Sequence, residues 1–120
     1  MRKKRVEFIR TDKRGKLIQL ITEKFKQLNI LEMVDKTLWG GHYHKNRYEF
    51  FHVLDGAISL RIRKNGCNIE TDFIKGESFM IEPFEVHEIV SRVEYSRLLV
   101  GYSRAFDPNN PDIHKDAVVA

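Results

Sequence analysis

Apolar and polar residues alternate along much of the chain, in short runs separated by turn residues. The clearest run is 57–63, where branched apolar side chains occupy every second position and polar side chains the others. Asn65 and Gly66 follow it, and this pair is the strongest short signal for a two-residue hairpin turn. Residues 67–73 then alternate in the return direction, so the pattern predicts a β-hairpin.

The rest of the chain has the same short spacing. Further strands are predicted at residues 6–10, 17–22, 28–33, 42–44, 49–54, 78–81, 87–92 and 94–102. A turn at 12–15 separates the first two, and residues 21–28 fit a short helical turn as well as a strand. Many short strands at regular spacing are typical of an antiparallel sandwich or barrel, which makes the predicted fold all-β.

The length of 120 residues indicates one domain that is large enough to bury a core. Within residues 1–120 we expect N-terminal strands over 1–35, a barrel over 36–104 and a tail over 105–120. The tail is rich in Pro, Asn and Asp, so we expect it to lie on the surface with Phe106 as its anchor.

Charge and composition narrow the range of partners. The net charge of +4 is mild, and no aromatic-basic platform or recognition helix accompanies it, so we do not expect nucleic-acid binding. A solvated basic face or attraction of anionic substrates explains the charge as well. No apolar run approaches a membrane span, and no apolar signal segment follows the basic start, so we expect a cytoplasmic protein without a membrane partner. The single cysteine, Cys67, agrees with that location.

Four residues have the side chains and spacing of a metal site: His42, His44, Glu49 and His87. His42 and His44 are two residues apart, so on a strand both leave the same face. Neutral imidazoles with one carboxylate suit a single divalent ion such as Zn, Fe, Ni or Mn. An ion that prefers six ligands would keep positions open for water or substrate.

The spacing His42-x-His44-x4-Glu49-x6-Gly56 resembles the first signature of the cupin superfamily. Residues 76–87 resemble a shortened second signature that lacks the usual glycine before the histidine. The resemblance implies a single-domain cupin, an antiparallel double-stranded β-helix (jelly-roll barrel). It also implies a homodimer, since cupins of this type often pair by swapping or sharing an edge strand, which closes exposed edges.

Three segments are similar to a narrower branch, the cupins that act on nucleotide-linked sugars. Residues 12–17 resemble the Asp-x-Arg-Gly opening of dTDP-sugar epimerases and ketoisomerases, and residues 40–44 resemble their Gly-x-His core. Residues 106–112 resemble the tail of the cupin domain in capsule-biosynthesis UDP-sugar epimerase/reductases. The resemblance implies a sugar or nucleotide-sugar epimerase or isomerase of polysaccharide biosynthesis, with a carbohydrate-like small-molecule ligand.

Trp39 is a departure from that branch, where an arginine that can bind phosphate normally stands three residues before the first histidine. Arginine offers a planar fork of charged donors, whereas tryptophan offers one neutral N–H and a stacking face. Diphosphate binding would then need Lys36, Lys45 or Arg47 instead. Trp39 suits a free sugar ring or an aromatic ligand better.

Other functions remain open on the residues alone. In a metal-free isomerase, as the ketoisomerase branch implies, His42 would be the general base and Glu49 would orient it or balance its charge. A different metal enzyme such as a dioxygenase, or a non-catalytic cup for a small ligand, would use the same residues. Tyr43 and Tyr48 flank the ligands and are candidate catalytic acids, although packing explains them too.

Two further predictions concern residues near the site. His52 is three residues from Glu49, so we expect it on the opposite face of the strand, at the surface or at an interface. Glu82 and Glu85 flank Pro83; we expect solvent exposure, with an imidazole N–H as the alternative partner of one of them.

Overall fold

The computed structural model of the chain describes residues 1–34 and 36–118. Strands are the only regular secondary structure in these residues. The strands are β1 (Arg2–Lys4), β2 (Phe8–Asp12), β3 (Gly15–Gln19), β4 (Gln27–Val34), β5 (Leu38–Tyr43), β6 (Glu49–Asp55), β7 (Ala57–Lys64), β8 (Cys67–Ile74), β9 (Ser78–Ile81), β10 (Val86–Ser91), β11 (Tyr95–Tyr102) and β12 (His114–Lys115).

Two five-stranded sheets pack as a sandwich, in the orders β1-β9-β6-β11-β4 and β12-β5-β10-β7-β8. All the strand pairs are antiparallel. The core between the sheets is formed by the inward-facing apolar side chains Met33, Phe51, Val53, Ile58, Leu60, Ile62, Phe73, Phe79, Ile81, Ile89, Leu98 and Val100. The predicted all-β architecture is therefore confirmed.

The predicted hairpin is β7–β8. Ile58 pairs with Phe73 and Ile62 with Ile69, and the alternating apolar residues of β7 are buried. Asn65 has φ 53° and the glycine after it also has positive φ, as a type I′ turn requires at both central positions. Local chemistry alone thus determined this element.

The other predicted strands are present with shifted ends. The strands predicted at 6–10 and 17–22 are β2 and β3, moved toward each other because their turn is tight. The helical alternative for 21–28 is wrong: residues 20–26 have no helical structure and β4 begins immediately after them. Asp35, where the predicted N-terminal part ends, lies outside the described residues, as do positions 119–120 of the predicted tail.

The segment expected to lie on the surface as a tail is largely exposed, and it also contributes β12 to a sheet. His114 and Lys115 pair with Tyr43 and His42 of β5, and the amide of Asp116 donates to the carbonyl of Gly41 at 3.0 Å. A two-residue strand is held by backbone groups, so alternation of side chains cannot reveal it. The tail is thereby placed beside the histidines.

The β2–β3 hairpin forms a two-stranded sheet of its own. Every residue of both strands is exposed, including the large apolar residues Phe8, Ile9, Leu17 and Ile18. Nowhere in the described parts of the chain is there a helix long and apolar enough to cross a membrane.

Candidate metal centre and cup

The four predicted ligands converge from three strands. His42 lies on β5, His44 just beyond it, Glu49 begins β6, and His87 is on β10, where it is the cross-strand partner of His42. The ring centroids of His42 and His87 are 4.6 Å apart. One ligand atom from each of the four residues lies within 4.8 Å of all the others. We call this group the four-residue cluster.

A β-bulge between His87 and Glu88 re-aims β10 toward β5. Gly40 lies opposite this bulge with φ 99°. A Cβ on Gly40 would lie 2.5 Å from the backbone oxygen of His87, far inside van der Waals contact. Glycine at this position therefore permits the close approach that brings His42 and His87 together.

Backbone carbonyls set the tautomers of two histidines. Nδ1 of His44 donates to the carbonyl of Asp112 at 2.7 Å, and Nδ1 of His87 donates to the carbonyl of Glu85 at 3.0 Å. With the proton on Nδ1, each Nε2 keeps its lone pair for the cluster. Metal-binding histidines are generally oriented in this way.

Two buried atoms of the cluster have no hydrogen-bond partner within residues 1–34 and 36–118: Nε2 of His44 and Oε1 of Glu49. They contact each other directly, and Nε2 of His87 lies 3.9 Å from the same oxygen. Lone pairs that face one another need a proton or a cation between them. A divalent ion bonds such ligands at about 2.1 Å, so four ligand atoms within 4.8 Å of one another can share one ion, and the donor set of the cluster fits it.

Burial and nearby charges favour neutral imidazoles at His42 and His87 and an ionised carboxylate at Glu49. Burial, followed by the proximity of His87 and His44, lowers the pKa of His42 to about 4. Burial also lowers the pKa of His87. Burial alone would raise the pKa of Glu49, but contact with His44 and nearby positive charge hold that pKa below its ordinary value. These are the protonation states in which the residues bind metal.

Three residues of the cluster open onto a cavity of about 690 Å³, which we call the cup: His42, Glu49 and His87. Its volume lies within the range of small-molecule sites. Leu28 and Ile30 of β4 and Phe106 of the tail line its apolar part, and all three are exposed at its opening. The expected anchor Phe106 thus lines the cup.

The two flanking tyrosines do not line the cup. Tyr43 points to the other side of β5, between the rings of Phe84 and His114 at centroid distances of 6.2 and 5.1 Å, and it lines a separate cavity. Tyr48 is exposed. Their positions give no support to the predicted catalytic role.

Tyr102, at the end of β11, lines the cup. It pairs in register with Glu49 across β11 and β6. Burial, followed by the charge of Glu49, raises the pKa of Tyr102, so its phenol stays protonated. Its place at the end of an alternating run with Leu98 and Val100 was the signal that it faces inward.

Two expectations about neighbouring residues are wrong. His52 is outside the cluster, as expected, but it is buried and bonded to Ser78 through Nδ1 and Oγ at 2.5 Å. Glu85 is buried too, and its carboxylate accepts from the amide of Glu82 at 2.7 Å. The backbone of Glu85, and not a carboxylate, is the partner of His87, which side-chain chemistry could not indicate.

Trp39 and Arg47, one of the three residues that could replace the missing arginine, both line the cup. Trp39 lines the cup and is half-exposed. Arg47 also lines it, whereas Lys36 and Lys45 do not. The guanidinium carbon of Arg47 lies 4.7 Å from the ring centroid of Tyr102.

Solved structures share the fold. CapF, a capsular polysaccharide assembling protein from Staphylococcus aureus, has a TM-score of 0.74 and 25% identity over 92% of this chain and 32% of that chain. QdtA, a sugar 3,4-ketoisomerase from Thermoanaerobacterium thermosaccharolyticum solved with TDP, has a TM-score of 0.78 and 21% identity, over 92% of this chain and 84% of QdtA. A 3,4-ketoisomerase from Helicobacter canadensis has a TM-score of 0.80 and 18% identity, over 92% and 87%.

The two ketoisomerases show a common fold, which confirms the predicted cupin architecture. The chain spans about a third of the length of CapF. No curated protein sequence matches the chain. The polysaccharide biosynthesis C-terminal domain family matches residues 10–114, which include the whole cluster and most of the tail. With this match over most of its length, the chain belongs to the polysaccharide biosynthesis C-terminal domain family, and its domain has a cupin-like fold.

Proposed function

We propose that this domain is a sugar or nucleotide-sugar epimerase or isomerase of polysaccharide biosynthesis. We also propose that His42, His44, Glu49 and His87 hold one divalent metal ion. The main observation in support of both proposals is the four-residue cluster beside the cup, with potential ligand atoms within 4.8 Å of one another. The family match and the fold shared with sugar ketoisomerases support the substrate class.

A bound divalent ion would supply a Lewis acid that polarises a carbonyl oxygen. Side chains that line the cup would donate hydrogen bonds to the substrate and exclude water from it. The protonated phenol of Tyr102 supplies a hydrogen-bond donor, beside the carboxylate of Glu49. The apolar residues of β4 and the tail shield the reacting carbon from water.

A metal-free isomerase is the second candidate, because His42 differs from the other two histidines. It is the least buried residue of the cluster, and in the described parts of the chain no carbonyl bonds its ring. Its low pKa leaves it neutral and able to accept a proton. Since ligand and base would need the same lone pair, His42 has one role or the other.

In the metal-free route, His42 takes the proton from the carbon beside a sugar carbonyl. The electron pair of that C–H bond forms a carbon–carbon double bond, and the carbonyl oxygen takes a proton from Tyr102. Return of the proton from His42 to the adjacent carbon, as the neighbouring hydroxyl gives its proton back to Tyr102, yields the isomeric ketone. A proton delivered to the first carbon from the opposite face, with the enol oxygen giving its proton back to Tyr102, gives the epimer instead.

Two measurements together test the proposal. Elemental analysis of protein purified without added metal should find one divalent ion per chain. NMR should then show deuterium exchange from D2O into a TDP- or UDP-linked 4-keto sugar, and both chelation and His44→Ala should abolish it. Exchange that survives chelation but is lost in His42→Ala would establish the metal-free route. No exchange with any keto sugar, or turnover that requires Fe(II) and consumes oxygen, would contradict the isomerase.

We also propose that the domain pairs with a second copy through the β2–β3 hairpin. Ile9 and Ile18 are cross-strand partners on one face, while Phe8 and Leu17 lie on the other. All four are exposed. A small hairpin with apolar side chains on both faces is unstable in water by itself, so a partner surface supports it.

A further inference from the structure

Arg47 is a buried cation with an incomplete set of partners. Arg47 is only 7% exposed, and its Nε has no hydrogen-bond partner among residues 1–34 and 36–118. Over the same residues no carboxylate forms an ion pair with it. Its guanidinium lies over the ring face of Tyr102. Proteins seldom bury a charge in this way unless something else satisfies it.

The position of Arg47 identifies what could satisfy it. It lines the same cup as His42 and Glu49, and its guanidinium lies over the ring of Tyr102, which is the cross-strand partner of Glu49. The carboxylate of Glu49 contacts His44 and forms no ion pair with Arg47 within the described residues. An anion that enters the cup is therefore the partner that Arg47 lacks.

We propose that Arg47 binds the diphosphate of a nucleotide-linked sugar and that Trp39 contacts a ring of the same ligand. The guanidinium fork matches phosphoryl oxygens in geometry and charge. Trp39, on the lining of the cup and half-exposed, offers a stacking face. The inference deepens the proposed function and rests on it for the sugar; the anion site itself depends only on Arg47.

Arg47→Met tests this assignment, and Arg97→Met is its control. Methionine fills apolar space without a charge. Arg97 is exposed on β11 and lines neither the cup nor the cavity that Arg47 shares with the tail, so the control removes the same charge away from the proposed site. Calorimetric titration with TDP and UDP should show about 10- to 100-fold weaker binding in Arg47→Met, the loss expected for hydrogen bonds to charged groups. The control should bind like the wild type, and both variants should keep their metal content.

Thermal unfolding separates binding from a structural role. Removal of an unpaired buried charge should leave the unfolding temperature equal or higher. A large fall in that temperature would show that the contact with Tyr102 is structural and would overturn the assignment. Equal nucleotide affinity in Arg47→Met, or no affinity in the wild type, would overturn it too. Tighter binding of a sugar carboxylate than of either diphosphate would do the same.

The deuterium-exchange assay keeps the two proposals apart. If the wild type exchanges deuterium into the keto sugar and Arg47→Met binds it equally well, the anion site is wrong and the isomerase stands. If TDP or UDP binds through Arg47 but no keto sugar exchanges, the anion site stands and the isomerase is wrong.

Discussion

His44 and Asp112 are joined by a hydrogen bond although 68 residues separate them, with Nδ1 of the imidazole donating to the backbone carbonyl at 2.7 Å. The carboxylate of Asp112 reinforces this contact by accepting from the amides of Lys45 at 2.8 Å and Asn46 at 2.9 Å. The tail is thus part of the environment of the cluster, since it sets which nitrogen of His44 faces the other ligands.

Asp112→Ala should weaken metal binding without touching a ligand. Loss of the carboxylate frees the tail from the loop after His44, and the imidazole loses its fixed orientation. Substitution of a residue that orients a metal-binding side chain lowers the metal affinity about 10- to 100-fold. Competition with a chelator measures the metal affinity of each variant. Asp107→Ala removes only a bond to Asn109 within the tail and should bind metal like the wild type; equal loss in both variants would contradict the role of Asp112.

His44→Ala should lower the metal content of the purified protein sharply, because it removes a buried imidazole nitrogen that faces the cluster and has no hydrogen-bond partner within the described residues. His52→Ala is the matched control: this histidine is also buried but is bonded to Ser78, outside the cluster. Elemental analysis measures the metal content of both variants and of the wild type. Equal metal in His44→Ala and wild type would refute the metal site, and loss of metal in His52→Ala would show that this residue supports it.

Gly40→Ala should destabilise the domain more than Gly66→Ala. Both glycines have positive φ, 99° and 76°, so each alanine costs about 1 kcal/mol from the backbone. Gly40→Ala also meets the carbonyl of His87, whereas space is open at Gly66. The clash adds about 1–3 kcal/mol. Urea unfolding of the metal-free protein measures the difference, and equal losses would mean that the bulge adapts freely.

The metal-free protein should lose stability as the pH falls from about 6.5 to about 4. Burial lowers the pKa of His42 to about 4 and also lowers the pKa values of His52 and His87. Between these values and the pKa of a free imidazole the unfolded chain binds more protons than the folded one, so protonation favours unfolding. Above that window the histidines are neutral in both states.

Urea unfolding in the presence of a chelator across this pH range is the measurement. His52→Gln removes one contributor and should make the pH dependence shallower. A free energy of unfolding that stays constant or rises toward low pH would contradict the buried, neutral histidines.

Leu17→Asp should convert a dimer into a monomer, because it places a charge on an apolar face of the β2–β3 hairpin. Ile69→Asp is the control, since Ile69 is similarly exposed but lies on β8 of the main sandwich. Sedimentation equilibrium reads the mass of each variant directly. A monomeric wild type would contradict the proposed pairing.

Local patterns accounted for the elements whose causes are local. Alternation and the Asn65-Gly66 turn determined the β7–β8 hairpin, and short strands at regular spacing indicated the sandwich. His42 and His44 share a face because strand geometry has a period of two residues. The spacing of the two signatures was enough to group Glu49 and His87 with them.

Tertiary structure decided the rest. The partners of His44 and His87 are backbone carbonyls, which every residue carries, so no residue type marks Asp112 or Glu85 for this task. Strand β12 is two backbone pairs long and has no side-chain pattern. The tyrosine that faces the cup is Tyr102, which the sheet pairing brings beside Glu49 from a strand far away along the chain. Sequence by itself thus determined which side chains could bind metal, while long-range packing decided how they are oriented and what else lines their cavity.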